Sequence, residues 1–292
     1  MKNRLQAALT IAVFKLVAAL PYGVTARLGD AIGKLLYRIP SRRRRIVHTN
    51  LSLCFPDMDA DTRDKLARNH FGHVLRSYLE RGVQWFGSAE RLGKLVELDS
   101  RIDLASCAEH PTIFMGFHFV GIEAGCMFYS MRHPVASLYT RMSSPMLEQI
   151  SRTQRGRFGA EMIPRSGSGK QVVRTLRAGC PVMLASDMDF GINDSVFVPF
   201  FGVPACTLTS ASRLASMTGA RVVPFTTEVL PDYRGYRLRI FDPLEGFPSG
   251  SVEEDSRRMN AFLETQIATM PEQYYWIHRR FKNRPAGMPS VY

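Results

Sequence analysis

Paired cysteines and a nucleotide-binding loop are both missing from this sequence of 292 residues. Its five cysteines are odd in number and widely spaced, with no CxxC pair. Neither a disulfide framework nor a zinc knuckle is indicated, and reduced thiols are expected. The GSGK at 167–170 lacks the GxxxxGK[ST] spacing of a P-loop, so ATP is not implied. Low-complexity and disordered classes are also excluded, because 45% of the residues are hydrophobic and 22% are charged.

Acidic residues are scarce at both ends of the chain. Residues 1–50 contain ten Lys or Arg and one acid, and residues 277–292 contain four and none, within a formal net charge of +12. The middle of the chain is therefore close to neutral. Two cationic ends suit an anionic surface or ligand. No zinc-finger spacing and no basic strand interleaved with aromatics is present, so nucleic-acid binding is not expected.

The N-terminal apolar stretch, residues 5–20, is short for a membrane span. It would measure about 24 Å as a helix, and Lys15 interrupts it. A signal peptide fits poorly, because no clean cleavage site follows. Cationic residues on both sides give a span no positive-inside preference. We therefore expect residues 1–40 to form a membrane-associated helical segment, with an interfacial helix favoured over a single span or an ordinary core helix.

The rest of the chain alternates between strand-like and helix-like segments. Residues 61–85 predict a long amphipathic helix. The predicted strands are 112–117, 135–139, 182–185, 222–226 and 236–241, and the helices among them are 120–131, 145–157, 169–177, 210–217 and 252–270. This alternation predicts a single α/β domain over residues 41–292, with a central mostly parallel or mixed sheet flanked by helices.

The first candidate for chemistry is the segment 116–123, Gly-Phe-His-Phe-Val-Gly-Ile-Glu, directly after a predicted strand. Ligands in open α/β sheets gather beyond the carboxyl ends of strands, where His118 would lie. Glu123 can meet His118 only if the histidine lies in the turn and the glutamate in the first helical turn. A carboxylate that orients an imidazole makes it a general base. The alternative is a histidine at a strand end and a glutamate that favours a helix N-terminus.

A second candidate is the cationic cluster of Arg155 and Arg157, with Arg165 and Lys170 near a glycine-rich segment. Clustered cations beside glycine-rich backbone suit phosphate binding. A solvated helix face explains the same pattern equally well.

A third candidate is the segment 186–191, Ser-Asp-Met-Asp-Phe-Gly, again directly after a predicted strand. Such a DxD can hold a divalent metal, orient an arginine or cap a turn. The apolar run 196–204 that follows contains two prolines, which argues against one long strand. It could line an apolar ligand slot, although a core role is the better expectation.

The C-terminal segment 273–282 places aromatic residues beside the cations Arg279 and Arg280. Amphipathic rings and basic side chains suit the membrane interface or phosphate recognition. The alternative is a solvated tail.

Taken together, these segments resemble the bacterial lipid A biosynthesis acyltransferases, the late or secondary enzymes of the lauroyl and myristoyl type within the lysophospholipid acyltransferase superfamily. The resemblance runs nearly end to end. Its features are the apolar N-terminus, the arginines 42–45 leading to Asn-Leu-Ser-Leu-Cys-Phe-Pro at 50–56, HxxxxE at 118–123, Arg-Gly-Arg-Phe at 155–158, Asp-Met-Asp-Phe-Gly at 187–191, the apolar segment 195–204, and Tyr-Trp-Ile-His-Arg-Arg-Phe-Lys-Asn-Arg-Pro at 275–285. HxxxxE alone is a weak signal, but these blocks in this order are specific.

The resemblance implies transfer of a fatty acyl chain from an acyl carrier protein thioester to a hydroxyl of a lipid A precursor, at the cytoplasmic face of the inner membrane. It implies that His118 is the general base, that Glu123 orients it, and that Asp189 organises an arginine or the acceptor head group. Arg155, Arg157, Arg279 and Arg280 are the other expected substrate contacts. No metal or other cofactor is expected, and the partners are the carrier protein, the precursor and inner-membrane lipid.

Two rival functions remain open at this stage. An enzyme of the same superfamily acting on a lysophospholipid or an aminolipid would keep His118 and Glu123. A non-enzymatic membrane-surface binding protein would not need them. Donor chain length, the acylated position and the oligomeric state are not encoded in these motifs.

Overall fold

The computed structural model describes residues 2–292, with side chains from Leu5 onward. A seven-stranded sheet forms the centre. Its strands are β1 (Val96–Ser100), β2 (Thr112–Gly116), β3 (Ala136–Tyr139), β4 (Glu161–Pro164), β5 (Val182–Ala185), β8 (Arg221–Val229) and β9 (Tyr236–Ile240). They lie in the order β1-β9-β8-β2-β5-β3-β4, and all neighbouring pairs are parallel except β8 and β9. The predicted α/β class with a mostly parallel sheet is confirmed.

Ten α-helices are described within residues 2–292. They are α1 (Lys2–Ala19), α2 (Tyr22–Leu36), α3 (Arg42–Cys54), α4 (Ala60–Phe86), α5 (Ala89–Leu95), α6 (Ile122–Ser130), α7 (Pro145–Gly156), α8 (Gly169–Arg177), α9 (Ser210–Thr218) and α10 (Val252–Thr269). Each predicted helix is present with small differences at its ends. Side-chain oxygens cap α3 and α4, because Ser41 accepts from the Arg44 amide and Asp59 from the Thr62 amide.

The apolar run around residue 200 forms a separate two-stranded antiparallel sheet. Its strands are β6 (Ser195–Phe200) and β7 (Val203–Leu208). Phe201 and Gly202 both have positive φ angles, which is what a tight two-residue hairpin turn requires. The prolines thus fall in a short hairpin rather than in one long strand. Val198 and Phe200 are buried, as the core interpretation expected, while Phe197 is partly exposed.

The two N-terminal helices pack against the long helix α4. Phe14 and Val17 of α1 are buried, and a Cβ at Gly82 of α4 would lie 2.4 Å from the Phe14 carbonyl oxygen. A Cβ at Gly33 of α2 would lie 2.2 Å from the Phe71 carbonyl oxygen. Glycine is needed at both positions because the helix backbones come this close. The boundary predicted at residue 40 therefore separates segments that share a packed interface.

The outward faces of α1 and α2 remain apolar and exposed. Leu5 is 73% exposed and Leu16 is 67% exposed. We call this set the apolar outer face: Leu5, Leu9, Val13 and Leu16 of α1 with Val24, Leu28, Ile32, Leu35 and Leu36 of α2. Across residues 2–292, no helix combines the length and the apolarity needed to cross a membrane.

The candidate site lies at the carboxyl edge of the parallel strands. The C-terminal segment after α10 crosses this edge beside the end of β2. The Val120 amide donates to the Gln273 carbonyl at 2.9 Å, and the Tyr275 amide donates to the His118 carbonyl at 2.9 Å. Asn50 of α3 fixes the same segment by donating to the carbonyls of Trp276 and His278. Residues far apart in sequence therefore meet around His118.

Candidate active site

The centre of the site is a hydrogen bond between His118 and Asp187. The His118 Nδ1 and the Asp187 Oδ1 lie 2.6 Å apart, and the other carboxylate oxygen accepts the His118 backbone N–H at 2.9 Å. Strand register explains the meeting. Gly116 of β2 pairs with Ala185 of the parallel neighbour β5. His118 and Asp187 each lie two residues beyond this pair, so they leave the sheet at the same level.

Asp187 leaves the other nitrogen of His118 available. The aspartate is fully buried, whereas 28% of the histidine side chain is exposed. Burial alone would raise the pKa of Asp187, but the charge and hydrogen bonds of His118 outweigh it, so the pKa lies below its ordinary value. An ionised carboxylate at Nδ1 holds the ring proton there. The His118 Nε2 is then a lone-pair acceptor on the open side of the site.

Glu123 has different partners from those predicted. It lies in the first turn of α6, and its carboxylate accepts hydrogen bonds from Trp85 Nε1 at 2.8 Å and from the Arg155 Nε and Nη2. Burial would raise its pKa, but the charge and hydrogen bonds of Arg155 lower it to about 2. The expected orientation of His118 by Glu123 is therefore corrected: Asp187 does this, because the strand register brings it to Nδ1.

Arg155, in the last turn of α7, and Arg157, directly after this helix, have different partners. Arg155 is paired with Glu123 at 2.7 Å and is partly exposed, with no hydrogen bond recorded from its Nη1 to residues 2–292. Arg157 donates from Nη2 to the carbonyls of Gln84 and Gly87, at 2.8 and 2.7 Å. It thereby ties the end of α7 to the end of α4. Arg155 therefore pairs with Glu123, whereas Arg157 makes a structural contact with the end of α4.

Asp189 and Arg280 are enclosed by protein. The Asp189 carboxylate accepts the backbone amides of Gly191 and Asn283 and also the Asn283 side chain. Arg280 is 1% exposed and donates to the Cys206 carbonyl and the Thr207 hydroxyl. Both side chains fix the C-terminal segment and are almost fully buried in this structure. Arg279 is partly exposed and makes no recorded side-chain hydrogen bond or ion pair within the described chain.

Besides Asp187, His278 is a site residue that sequence reasoning missed. Its Nε2 accepts the backbone N–H of Asp189 at 3.0 Å. Burial, followed by the charges of His118 and Arg280, lowers its pKa to about 4. The available signal was the histidine inside the C-terminal block at 275–285, but only the fold brings that block to β2. Within residues 2–292, no group of three acidic, histidine or cysteine side chains is arranged to hold a metal ion.

A histidine–aspartate pair at the carboxyl edge of a mostly parallel α/β sheet is typical of enzymes in which the histidine moves a proton. The family model described as bacterial lipid A biosynthesis acyltransferase matches residues 2–283. The chain belongs to this family and is an acyltransferase.

Relatives with assigned activities cover almost the whole chain. It is 37% identical over 287 residues to the lipid A biosynthesis lauroyltransferase of Escherichia coli K12, covering 97% of this chain and 94% of that enzyme. It is 33% identical over 285 residues to the palmitoleoyltransferase of the same strain, covering 97% and 92%. The myristoyltransferase of that strain is 28% identical over 276 residues, covering 92% and 83%. The family resemblance seen in the sequence is confirmed.

Proposed function

We propose that this chain transfers a fatty acyl chain from an acyl carrier protein thioester to a hydroxyl of a lipid A precursor in lipopolysaccharide biosynthesis. The observation that supports it is the His118–Asp187 pair, with one ring nitrogen fixed and the other open, in a member of this family. The reaction needs a base and a stabilised oxyanion, and neither requires a resident cofactor.

The acyl transfer balances as an addition followed by an elimination. His118 Nε2 takes the proton of the acceptor hydroxyl while its oxygen forms a bond to the thioester carbon. The carbonyl electron pair moves to the oxygen and then returns as the C–S bond breaks. The imidazolium gives its proton to the departing thiolate, leaving an ester and the free thiol of the carrier. Asp187 stabilises the transient imidazolium, in the role that a buried aspartate has in a Ser-His-Asp triad.

Glu123 acts in this proposal through Arg155. Its carboxylate occupies two donors of the guanidinium and fixes the direction of the third nitrogen, Nη1. An arginine held in this way is suited to an anionic group of a substrate. Arg279, partly exposed on the same C-terminal segment as His278, is a second contact of this kind.

The apolar outer face supports an interfacial position at the cytoplasmic side of the inner membrane. Its leucines recur at helical spacing on both α1 and α2, which is the pattern of helices that lie in the headgroup layer. The arginines 42–45 at the start of α3 follow closely and would meet anionic headgroups. An acyl acceptor anchored in the membrane would then reach His118 from the lipid surface.

The activity test uses purified protein, a tetra-acylated lipid A precursor and a panel of acyl carrier protein thioesters, with lipid products weighed by mass spectrometry. Expected is a mass gain of one acyl chain that His118→Ala lowers by about 10²–10⁴-fold. Parallel reactions with a lysophospholipid and an aminolipid identify a different acceptor. Transfer by His118→Ala at the wild-type rate would reject the base assignment, and binding without transfer by the wild type would favour a non-enzymatic role.

The membrane test is flotation with vesicles of phosphatidylethanolamine and phosphatidylglycerol. Leu9→Glu combined with Leu28→Glu should abolish flotation, because two charges enter the apolar outer face. Leu98→Glu, which changes an exposed leucine on β1, is the matched control and should float like the wild type. Equal flotation of both variants would reject this surface as the membrane contact.

A further inference from the structure

The oxyanion of the proposed acyl transfer has few possible donors around His118. Three backbone amides after β2 are engaged within the chain: that of His118 with Asp187, that of Phe119 with the Phe117 carbonyl, and that of Val120 with the Gln273 carbonyl. Arg157 is bound to carbonyls at the end of α4. These groups are therefore not free to donate to the oxyanion.

His118 and His278 are both hydrogen-bonded to the short segment 187–189, but the His118 ring donates to it and the His278 ring accepts from it. The Asp187 carboxylate accepts at His118 Nδ1 and leaves a lone pair at Nε2. The Asp189 backbone N–H donates at 3.0 Å to His278 Nε2. A backbone amide can only donate, so this His278 nitrogen carries no proton and the neutral ring carries its proton on Nδ1.

The Nδ1–H of His278 is a free donor. It forms no hydrogen bond with the side chains or backbone that the structure describes. The nitrogen is not fully buried, so it retains contact with solvent. The ring belongs to the C-terminal segment whose Tyr275 amide donates to the His118 carbonyl at 2.9 Å. Its backbone is fixed too, since Asn50 donates to the His278 carbonyl at 2.8 Å. A fixed donor costs no reorganisation when charge develops.

The charge state of the ring suits this task. Burial is the largest cause that lowers the pKa of His278, to about 4, and the positive charges of His118 and Arg280 add to it. The ring therefore stays neutral near pH 7, also when His118 holds the proton of the acceptor.

We propose that His278 is a second catalytic residue, whose Nδ1–H donates a hydrogen bond to the oxyanion that forms from the thioester carbonyl. This inference rests on the proposed acyl transfer. The segment 187–189 then anchors both the base and the donor, which are the two groups that addition of a hydroxyl to a thioester needs.

Two substitutions separate donation from packing. His278→Gln can place its amide oxygen near the former Nε2 and keep the contact with Asp189, but it removes the donor at Nδ1. His278→Asn can place an N–H near the former Nδ1 but is too short to reach Asp189. We expect His278→Gln to lower kcat about 10²–10³-fold with little change in KM or melting temperature. His278→Asn should lower the melting temperature and reduce kcat less.

An analogue of the acyl donor gives a second measurement, which a purely structural role of His278 would not change. In a dithioester the carbonyl oxygen is replaced by sulfur, a poorer acceptor. Wild type should slow markedly on it, and His278→Gln should show a much smaller oxygen-to-sulfur effect. His110→Gln changes an exposed histidine before β2, at the opposite edge of the sheet, and serves as the control.

Three outcomes would overturn the inference. His278 is rejected as the hydrogen-bond donor if the kcat of His278→Gln lies within about threefold of wild type. It is also rejected if the oxygen-to-sulfur effect of this variant equals that of wild type. A loss of kcat that follows the melting temperature in both variants assigns His278 to packing. If wild type transfers no acyl chain to any acceptor, the proposed function itself fails, and this result is distinct from those three.

Discussion

Two buried carboxylates beside the site have separate partners. Asp187 binds the ring and the backbone amide of His118, and Glu123 binds Arg155 and Trp85. Each carboxylate satisfies buried donors, so neither can be removed without leaving a polar group unpaired. Their effects on activity should nevertheless differ, because only Asp187 touches the base.

The first prediction concerns Asp187→Asn. The amide can present an N–H to His118 Nδ1, which moves the ring proton to Nε2 and removes the base. We expect kcat to fall about 10⁴-fold, as for the wrong tautomer in a triad. Asp194→Asn, at an exposed aspartate of the loop before β6, is the control, and circular dichroism checks the fold of both. Near-normal turnover by Asp187→Asn would show that another group fixes the ring.

The second prediction tests whether Glu123 acts through Arg155. We expect Glu123→Gln, Arg155→Gln and the double variant to lose similar amounts of kcat/KM, because each breaks the same pair. The measurement is a double-mutant cycle on acyl transfer. Losses that multiply in the double variant would mean that Glu123 and Arg155 act independently.

Helix α4 connects the N-terminal helices to the rest of the molecule. Its face toward α2 has a glycine at Gly72, where a side chain would meet Asp30. Its face toward α1 has a glycine at Gly82, where a side chain would meet the Phe14 backbone. Helices α1 and α2 are thus part of the packed structure and also present the apolar outer face. One pair of helices performs both tasks, since its inner and outer faces are both apolar.

The third prediction concerns this helix contact. Gly33→Ala should lower the free energy of unfolding by about 1–3 kcal/mol, because its Cβ meets the Phe71 carbonyl and the backbones must move apart. Gly23→Ala on the same helix is the control. Its Cβ meets only the movable end of Arg27, so stability should stay equal or rise slightly. Urea unfolding measures both, and an unchanged midpoint for Gly33→Ala would contradict the close approach.

At the scale of the whole molecule, several histidines are held neutral inside the fold. Burial lowers the pKa of His70 to about 3 and the pKa values of His73 and His278 to about 4. Their ordinary value is 6.5, so between pH 6.5 and 4 the unfolded chain binds protons that the folded chain does not. Stability must therefore fall as the pH is lowered through this window.

The fourth prediction gives this dependence a size. The free energy of unfolding should fall with a slope of up to about 1.4 kcal/mol per pH unit for each of the three histidines. His70→Asn keeps a donor for the Glu272 carbonyl and should remove about one third of the slope, whereas His110→Gln should not change it. Denaturant unfolding between pH 7 and 5 measures the slope. A slope near zero would contradict neutral burial.

The local pattern of the chain was enough to predict most of the elements. Strand 182–185 and helix 169–177 agree with β5 and α8 to the residue, because their apolar spacing and flanking residues are local signals. His118 was predicted as the base from its place after a strand. The short strands β1 and β4 were missed, since four or five residues with mixed polarity carry little periodic signal.

The sequence by itself determined most of the elements, the cationic ends, the apolar N-terminus and the family. Only the tertiary structure decided which carboxylate holds His118. Glu123 is five residues away along the chain, whereas Asp187 is brought to Nδ1 by the register of two adjacent parallel strands. It likewise brought His278 beside His118 through backbone hydrogen bonds to the end of β2. Such meetings depend on strand order and register, which no local pattern contains.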